Sequence, residues 1–254
     1  KEIVNEIDTL SSTLLVLQLK NWADNTKFKK ITEIFSCKNE SDILSEFFFI
    51  IANLYSSQEQ YENSNLFLNI ANFLNPKFRF NTSLIIENNF GNENYKKTKV
   101  LLNRFNKKDE IYYWYKIKKI TQIISQESNQ EEAINYINSK FSKIENPSTK
   151  ILFDMGNIAK GFKKYQSSIN YYNSVISRIE KNSITYADLL YRRGGSYERL
   201  GKYEESDKDL LKSLEINQDD AYVLNYLAYS WLERDYKIDT AIEMLDKAYE
   251  QRSN

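Results

Sequence analysis

The apolar positions of the chain recur in a pattern about 34 residues long, made of two helical stripes separated by a turn. The clearest copy runs from Ala187, ADLLYRRGGSYERLGKYEESDKDLLKSLEINQDD. It places Gly194 and Tyr197 on a first helix, Gly201-Lys202-Tyr203 at a turn, and Ser206, Leu210, Ser213 and Ile216 on a second helix. A copy from Ser45 supplies Ala52, Tyr55, Tyr61, Ser64, Leu68, Ala71, Leu74 and Pro76 in the same places. In this register units start at Ser12, Ser45, Arg79, Trp114, Thr149, Ala187 and Ala221, with spacings of 33, 34, 35, 35, 38 and 34. A helix advances about 100° per residue, so positions 4, 7, 8 and 11 of a unit form one stripe and 20, 24 and 27 another.

Two columns carry the pattern. Position 20 reads Ile31, Ser64, Thr98, Ala133, Ser168, Ser206 and Ala241, small in all but the first unit. Position 24 reads Phe35, Leu68, Leu102, Ile137, Tyr172, Leu210 and Leu245, large throughout. Reaching Ala241 requires one extra residue in the last turn, around Tyr236-Lys237. A small residue at position 8 opposite one at 20 lets paired helices approach closely. The pattern departs at position 8 in Leu19, Ile86 and Thr121, and at position 27 in Lys38, Phe105 and Lys140, which predicts irregular pairing in those units. Ser128 and Glu131 have the spacing of a capping box ahead of Ala133-Ile134. Residues 1–11 continue an apolar period through Ile3, Ile7 and Leu10, as a helix extension or the remnant of an earlier repeat.

This arrangement resembles the tetratricopeptide repeat, which has small residues at positions 8, 20 and 27, aromatics at 11 and 17 and a large apolar residue at 24. The resemblance implies an all-α, right-handed superhelix of about seven helix pairs over residues 12–254, and a protein-binding scaffold rather than an enzyme. Positions 2, 5, 9 and 12 lie roughly 130° around from the stripe that faces the partner helix. In this family they line a concave groove. Here they include Phe49, Asn53, Phe80, Tyr115, Lys118, Gln122, Phe153, Asn157, Lys160, Tyr191, Asn225 and Tyr229, with Arg192 beside them at position 6. Aromatics mixed with amides suit a peptide held by stacking and by hydrogen bonds to its backbone. Some of the aromatics are expected instead to pack between neighbouring first helices. Tyr55, Tyr61, Tyr95, Tyr165, Tyr197 and Tyr203, at positions 11 or 17, are expected in the core.

Some family members clamp a C-terminal carboxylate with Lys at position 5 and Asn at 9. That set is not matched, because Phe49 and Phe153 precede Asn53 and Asn157, while Lys118 is followed by Gln122. Residues NYLAYSWLE and TAIEMLDKAYEQ resemble inner repeats of long bacterial multi-repeat proteins, and no polar capping helix follows them. The expectation is that the natural chain continues past Asn254, or that this end docks on a partner or on a second copy.

Composition narrows the classes further. Hydrophobic residues make up 41%, enough for a continuous core, and only 6 Gly and 2 Pro interrupt the helices. Lys plus Arg and Asp plus Glu balance at 35 each, against the basic excess of nucleic-acid binders. Lys96-Lys97 and Lys118-Lys119 read as solvated helix faces, and an RNA-binding pentatricopeptide array is disfavoured. There is no His and one Cys, Cys37, which excludes His-based triads, Cys-His sites and His-containing zinc sites. The pairs Glu131-Glu132, Glu204-Glu205 and Asp219-Asp220 sit at helix starts, where the dipole favours acids. No catalytic residue, metal or cofactor is expected. The longest apolar stretch, Phe47 to Ala52, is far short of the ~20 residues that cross a bilayer. The first residue is Lys1, which reads as a trimmed start; the Lys-, Asn- and Ile-rich composition suggests an AT-rich genome, and the resemblance of the last repeat to bacterial proteins implies a bacterial cytoplasm or periplasm. The expected partner is a protein or peptide, with no nucleic acid. The alternative is an architectural segment of an envelope or secretion assembly that uses its ends and convex face.

Overall fold

The computed structural model describes residues 8–25, 27–34, 39–108 and 110–252. Its described residues form fourteen helices and no strand. They divide into two units, 1–141 and 142–254. The first unit holds α1 (Leu14–Asp24), α2 (Phe28–Ile34), α3 (Glu40–Ser57), α4 (Tyr61–Leu74), α5 (Arg79–Gly91), α6 (Tyr95–Leu102), α7 (Glu110–Glu127) and α8 (Gln130–Phe141). The second holds α9 (Thr149–Gly161), α10 (Tyr165–Ile176), α11 (Ile184–Glu198), α12 (Tyr203–Ile216), α13 (Ala221–Leu232) and α14 (Ile238–Arg252).

Local chemistry sets the helix ends. Thr13, Asn39, Asn94, Ser148, Ser183 and Asp220 each cap a helix by accepting a backbone N–H with the side chain. The capping box expected from Ser128 and Glu131 is replaced by a side-chain cap from Asn129, one residue later. Asn129 accepts from the Glu132 amide at 2.8 Å and donates to the Glu132 carboxylate at 3.0 Å. Asn129 thus satisfies one orphan backbone N–H of α8 and holds the Glu132 carboxylate through its own amide rather than through its backbone.

Within a pair, the first helix ends in a Schellman motif repeated five times. The residue fifteen places into the unit takes the left-handed conformation at Glu59, Glu93, Lys163, Gly201 and Asp235, with φ between 51° and 70°. The next amide bonds back to Tyr55, Asn89, Ala159, Tyr197 or Trp231 at 2.8–3.0 Å, closing the orphan carbonyls. In the last unit Lys237 is also left-handed, at φ 47°, and this is the extra residue that brings Ala241 into the core.

The small and large columns meet where helices cross. Ser64, Thr98, Ala133, Ser168, Ser206 and Ala241 are fully buried, as are Leu68, Leu102, Ile137, Tyr172 and Leu210. Gly156 matches Tyr172: a Cβ there would meet the phenol ring at 2.6 Å, so the large ring at position 24 needs glycine at position 8. Where Ile86 occupies position 8 instead, it is itself fully buried in the core of the first unit. The tyrosines at positions 11 and 17 are half-buried rather than core, and Tyr203 is 41% exposed. Tyr55 covers apolar surface by stacking on Phe67, with ring centroids 5.5 Å apart. Phe35, Cys37, Lys38, Ile3, Ile7 and the side chain of Ile31 lie outside the described residues.

The first helix pair makes a contact that periodicity does not foretell. Leu14 of α1 packs against the core of the first unit. Gln18 accepts a hydrogen bond from the Tyr112 hydroxyl on α7 at 3.3 Å. Asn75 donates to the Ile34 carbonyl at 2.8 Å, tying α2 to the end of α4.

Candidate functional site

The predicted groove residues fall into two groups with different fates. In the first unit most are spent on packing. Phe49 and Phe80 pack on each other at 5.3 Å and Phe49 meets buried Phe78 edge-on at 5.5 Å. Tyr115 is buried, its hydroxyl donating to Glu87 at 2.6 Å and to the Ser83 carbonyl at 3.3 Å. Burial and the neighbouring Glu87 carboxylate raise its phenol well above the ordinary range. Lys119, at position 6, is buried against Glu87 at 2.7 Å and over the Phe90 ring at 4.1 Å. Lys118 is half-buried, and Asn53 and Gln122 remain exposed without joining a cluster.

In the second unit the predicted residues come together on one face shared by α9, α11 and α13. Asn157 accepts from the buried Tyr172 hydroxyl at 2.8 Å and from Arg192 at 3.3 Å. Arg192 is also held by Asp188 one turn earlier, at 2.7 Å, and stacks over the Phe153 ring at 5.2 Å. Phe153 itself is buried, so it is a platform for Arg192 rather than an accessible ring. Lys160 reaches from α9 to the Arg192 carbonyl at 3.3 Å and lies 5.9 Å from the Tyr191 ring centroid. Tyr191 meets Tyr226 of α13 edge-on at 5.8 Å, and the Tyr226 hydroxyl donates to Glu198 at 2.9 Å. Beyond them Asn225 is half-exposed, while Tyr222 and Tyr229 are 63% and 54% exposed.

The electrostatics of this face centre on Lys160. Burial lowers its ammonium to about 8, reinforced by the positive charges of Arg192 and Arg199 and opposed by Asp188 and Glu198. Burial raises Tyr172 to about 12 and lifts Tyr191 and Tyr226 as well. Asp188, Glu198, Tyr222 and Tyr226 were not singled out from the sequence. Asp188, Glu198 and Tyr222 occupy positions 2 or 12, so the same spacing arithmetic includes them, while Tyr226 shares position 6 with Arg192. Among the described residues no group of three or more His, Cys, Asp or Glu is placed to hold a metal ion. No described helix is long and apolar enough to cross a membrane.

Helix pairs with left-handed closing turns, small residues at their crossings and a polar, aromatic face along the first helices are similar in construction to tetratricopeptide repeats. A family model of the tetratricopeptide repeat matches residues 187–220, the α11–α12 pair, and the other pairs repeat its construction. Among solved structures the chain is similar to one in the APC/C hetero-tetramer Cut9-Hcn1, with a TM-score of 0.54 and 14% identity, covering 85% of this chain and 44% of that one. It thus spans less than half of that neighbour. It is also similar to YrrB, described as a TPR protein with an unusual peptide-binding site (TM-score 0.37, 16% identity, 88% of this chain and 91% of that one). A third is MamA 41-end from Desulfovibrio magneticus RS-1 (TM-score 0.39, 12% identity, 83% and 96%). The first likeness establishes the fold; the other two superpose too loosely to add to it. No curated protein sequence matches the chain.

Proposed function

We propose that the chain is a non-catalytic scaffold that holds an extended segment of a partner protein on the α9, α11 and α13 face. One observation carries the reading. Asn157, Lys160, Tyr191, Arg192 and Tyr226 are linked across three successive first helices, so the face is ordered before any ligand arrives. Exposed Tyr229 and Tyr222 with half-exposed Asn225 extend it toward solvent with the stacking and amide groups that hold a peptide backbone. The zero net charge argues against a nucleic-acid strand in the same place.

The test is selection of peptides from a displayed random library on the immobilised chain. Tyr229→Ser and Asn225→Ala remove ligand-facing groups without touching buried contacts, and each is expected to weaken the selected peptides about tenfold or more. Undiminished binding by both variants would remove this face from consideration.

An architectural reading is favoured by a different feature. Ile238, Ile242 and Tyr249 are 45%, 49% and 75% exposed and form one stripe along α14, suited to end-on association. Sedimentation of the wild type and Ile242→Glu over a range of concentrations tests it: concentration-dependent association that the Glu abolishes supports it, and a concentration-independent monomer counts against it.

A further inference from the structure

We infer that the first unit holds a site for a compact molecule bearing two phosphate groups, in a cavity that is separate from the α9, α11 and α13 face. The cavity follows from where α1 and α2 lie. Two hydrogen bonds tie that pair to the rest of the unit, from the Tyr112 hydroxyl to Gln18 at 3.3 Å and from the Asn75 amide to the Ile34 carbonyl at 2.8 Å. Gln18, Ile34 and Tyr112 line the half-enclosed space left between the pair, the α4–α5 junction and the start of α7, a cavity of about 590 Å3. That volume suits a small organic ligand rather than a lone ion.

The lining is strongly cationic. Lys27 and Lys30 come from the first pair, Lys77 and Arg79 from the α4–α5 junction and Lys108 from the turn before α7, with Glu33 the one acid among the lining residues. Five positive charges against one negative leave a surplus of four, on a chain whose formal net charge is zero. Among the described residues no ion pair engages Lys27, Lys30, Lys77 or Lys108. Like charges gathered from separate segments around one space raise its potential and favour an anionic occupant.

The surplus and the donor set select phosphate. Two phosphate groups carry roughly three to four negative charges at neutral pH, which matches the surplus, whereas a single carboxylate leaves most of it. One arginine among four lysines suits phosphate oxygens, the guanidinium as a planar fork of donors and the ammoniums as point charges. Buried Trp22 and Tyr112, with Ile34 and Ile111, also give the cavity an apolar wall, against which an organic carrier of the phosphates packs.

The test is titration calorimetry of the whole chain with pyrophosphate, ADP, citrate and a thymidine oligonucleotide. It is run without divalent cations at physiological ionic strength, where diffuse attraction is screened beyond about 8 Å. Pyrophosphate or ADP should bind saturably, one molecule per chain, and citrate, a carboxylate of similar charge, about tenfold more weakly or worse. Tighter binding of ADP than of pyrophosphate identifies a nucleotide-like carrier as the source, and the reverse identifies the phosphate groups alone. Lys30→Ala and Lys77→Ala, both at exposed positions, should each weaken the phosphate ligand about tenfold. Glu33→Gln removes the one opposing charge and should strengthen it, while Lys181→Ala in the second unit should leave it unchanged. The site is overturned if neither phosphate ligand binds, if citrate binds as tightly, or if the oligonucleotide binds more tightly than both. Lys30 and Lys77 variants that bind as the wild type does overturn it equally.

Discussion

The Ser64 hydroxyl donates to the Ala52 carbonyl at 2.7 Å across the crossing of α3 and α4, while accepting from the Asn88 amide of α5 at 2.7 Å. Asn88, fully buried, also accepts from Ser56 at 2.6 Å and donates to Asn65 at 3.0 Å, so one side chain joins two successive repeats. The equivalent pair further along, Ser206 and Ser230, is buried with both hydroxyls unpartnered. Ser64→Ala should therefore cost about 1–3 kcal/mol, because it leaves one buried N–H of the Asn88 amide without its acceptor. Ser206→Ala should cost nothing or add up to about 1 kcal/mol, because it removes an unsatisfied hydroxyl. Urea denaturation of the two variants checks the contrast, and equal losses would contradict it.

The left-handed turn residues make a second contrast. Gly201 adopts φ 70° without strain, while exposed Lys163 adopts φ 58° with a Cβ that crowds the following carbonyl. Lys163→Gly is expected to stabilise the chain by about 1 kcal/mol, and Gly201→Ala to destabilise it by about the same amount. Thermal unfolding should move in opposite directions for the two. Movement in the same direction would show that backbone conformation does not decide these turns.

These relationships differ in how far the sequence alone reveals them. The columns through Ser64, Ser168 and Ala241, and through Leu68 and Leu210, are visible because helix crossings exclude large or small side chains at fixed intervals. The left-handed column is hidden because Glu59, Glu93, Lys163 and Asp235 occupy it at a strain cost that the motif's two hydrogen bonds offset. The half-burial of Tyr55 and Tyr203 is hidden too, since a phenol fits a rim as well as a core. Tyr112 and Gln18 are 94 residues apart, and no period connects them. The hydrogen bond from Lys160 to the Arg192 carbonyl joins position 12 of one unit to position 6 of the next, so it becomes visible only when neighbouring first helices lie side by side.

Lys160 predicts a pH dependence of definite sign. Its ammonium is lowered from 10.5 to about 8 in the folded chain, so between those values the unfolded chain holds a proton that the folded chain has released. Stability from this group accordingly rises with pH across that window, and below about 8 the full penalty of the buried charge is present. Lys160→Met should be more stable than the wild type at pH 7, by on the order of 1 kcal/mol. The advantage should shrink as pH rises through the window. Denaturant midpoints of both proteins at pH 7 and pH 10 give the difference, in which titrations common to both cancel. A constant advantage would mean that Lys160 acts through packing alone.

Arg193 on α11 occupies position 7 of its repeat unit, where the stripe calls for an apolar residue, and it is tolerated because its charge is fully matched. Its guanidinium holds Asp209 of α12 at two points, both 2.7 Å, and Asn173 of α10 at 2.7 Å. The Asp209 side chain is 7% exposed and that of Arg193 18%, so water screens the pair little. Removing one partner strands the other charge, and Asp209→Ala should cost about 3–5 kcal/mol. Lys212 and Glu215 make a 2.7 Å contact in solvent, with side chains 45% and 63% exposed, and Glu215→Ala should leave the denaturation midpoint essentially unchanged. The double variant Arg193→Met with Asp209→Leu removes both charges while filling their volume, and it should recover most of the loss. Recovery would show that the pair satisfies a burial constraint rather than adding net stability. If the double variant is as unstable as Asp209→Ala, the pair, with Asn173, contributes favourable energy of its own across α10, α11 and α12.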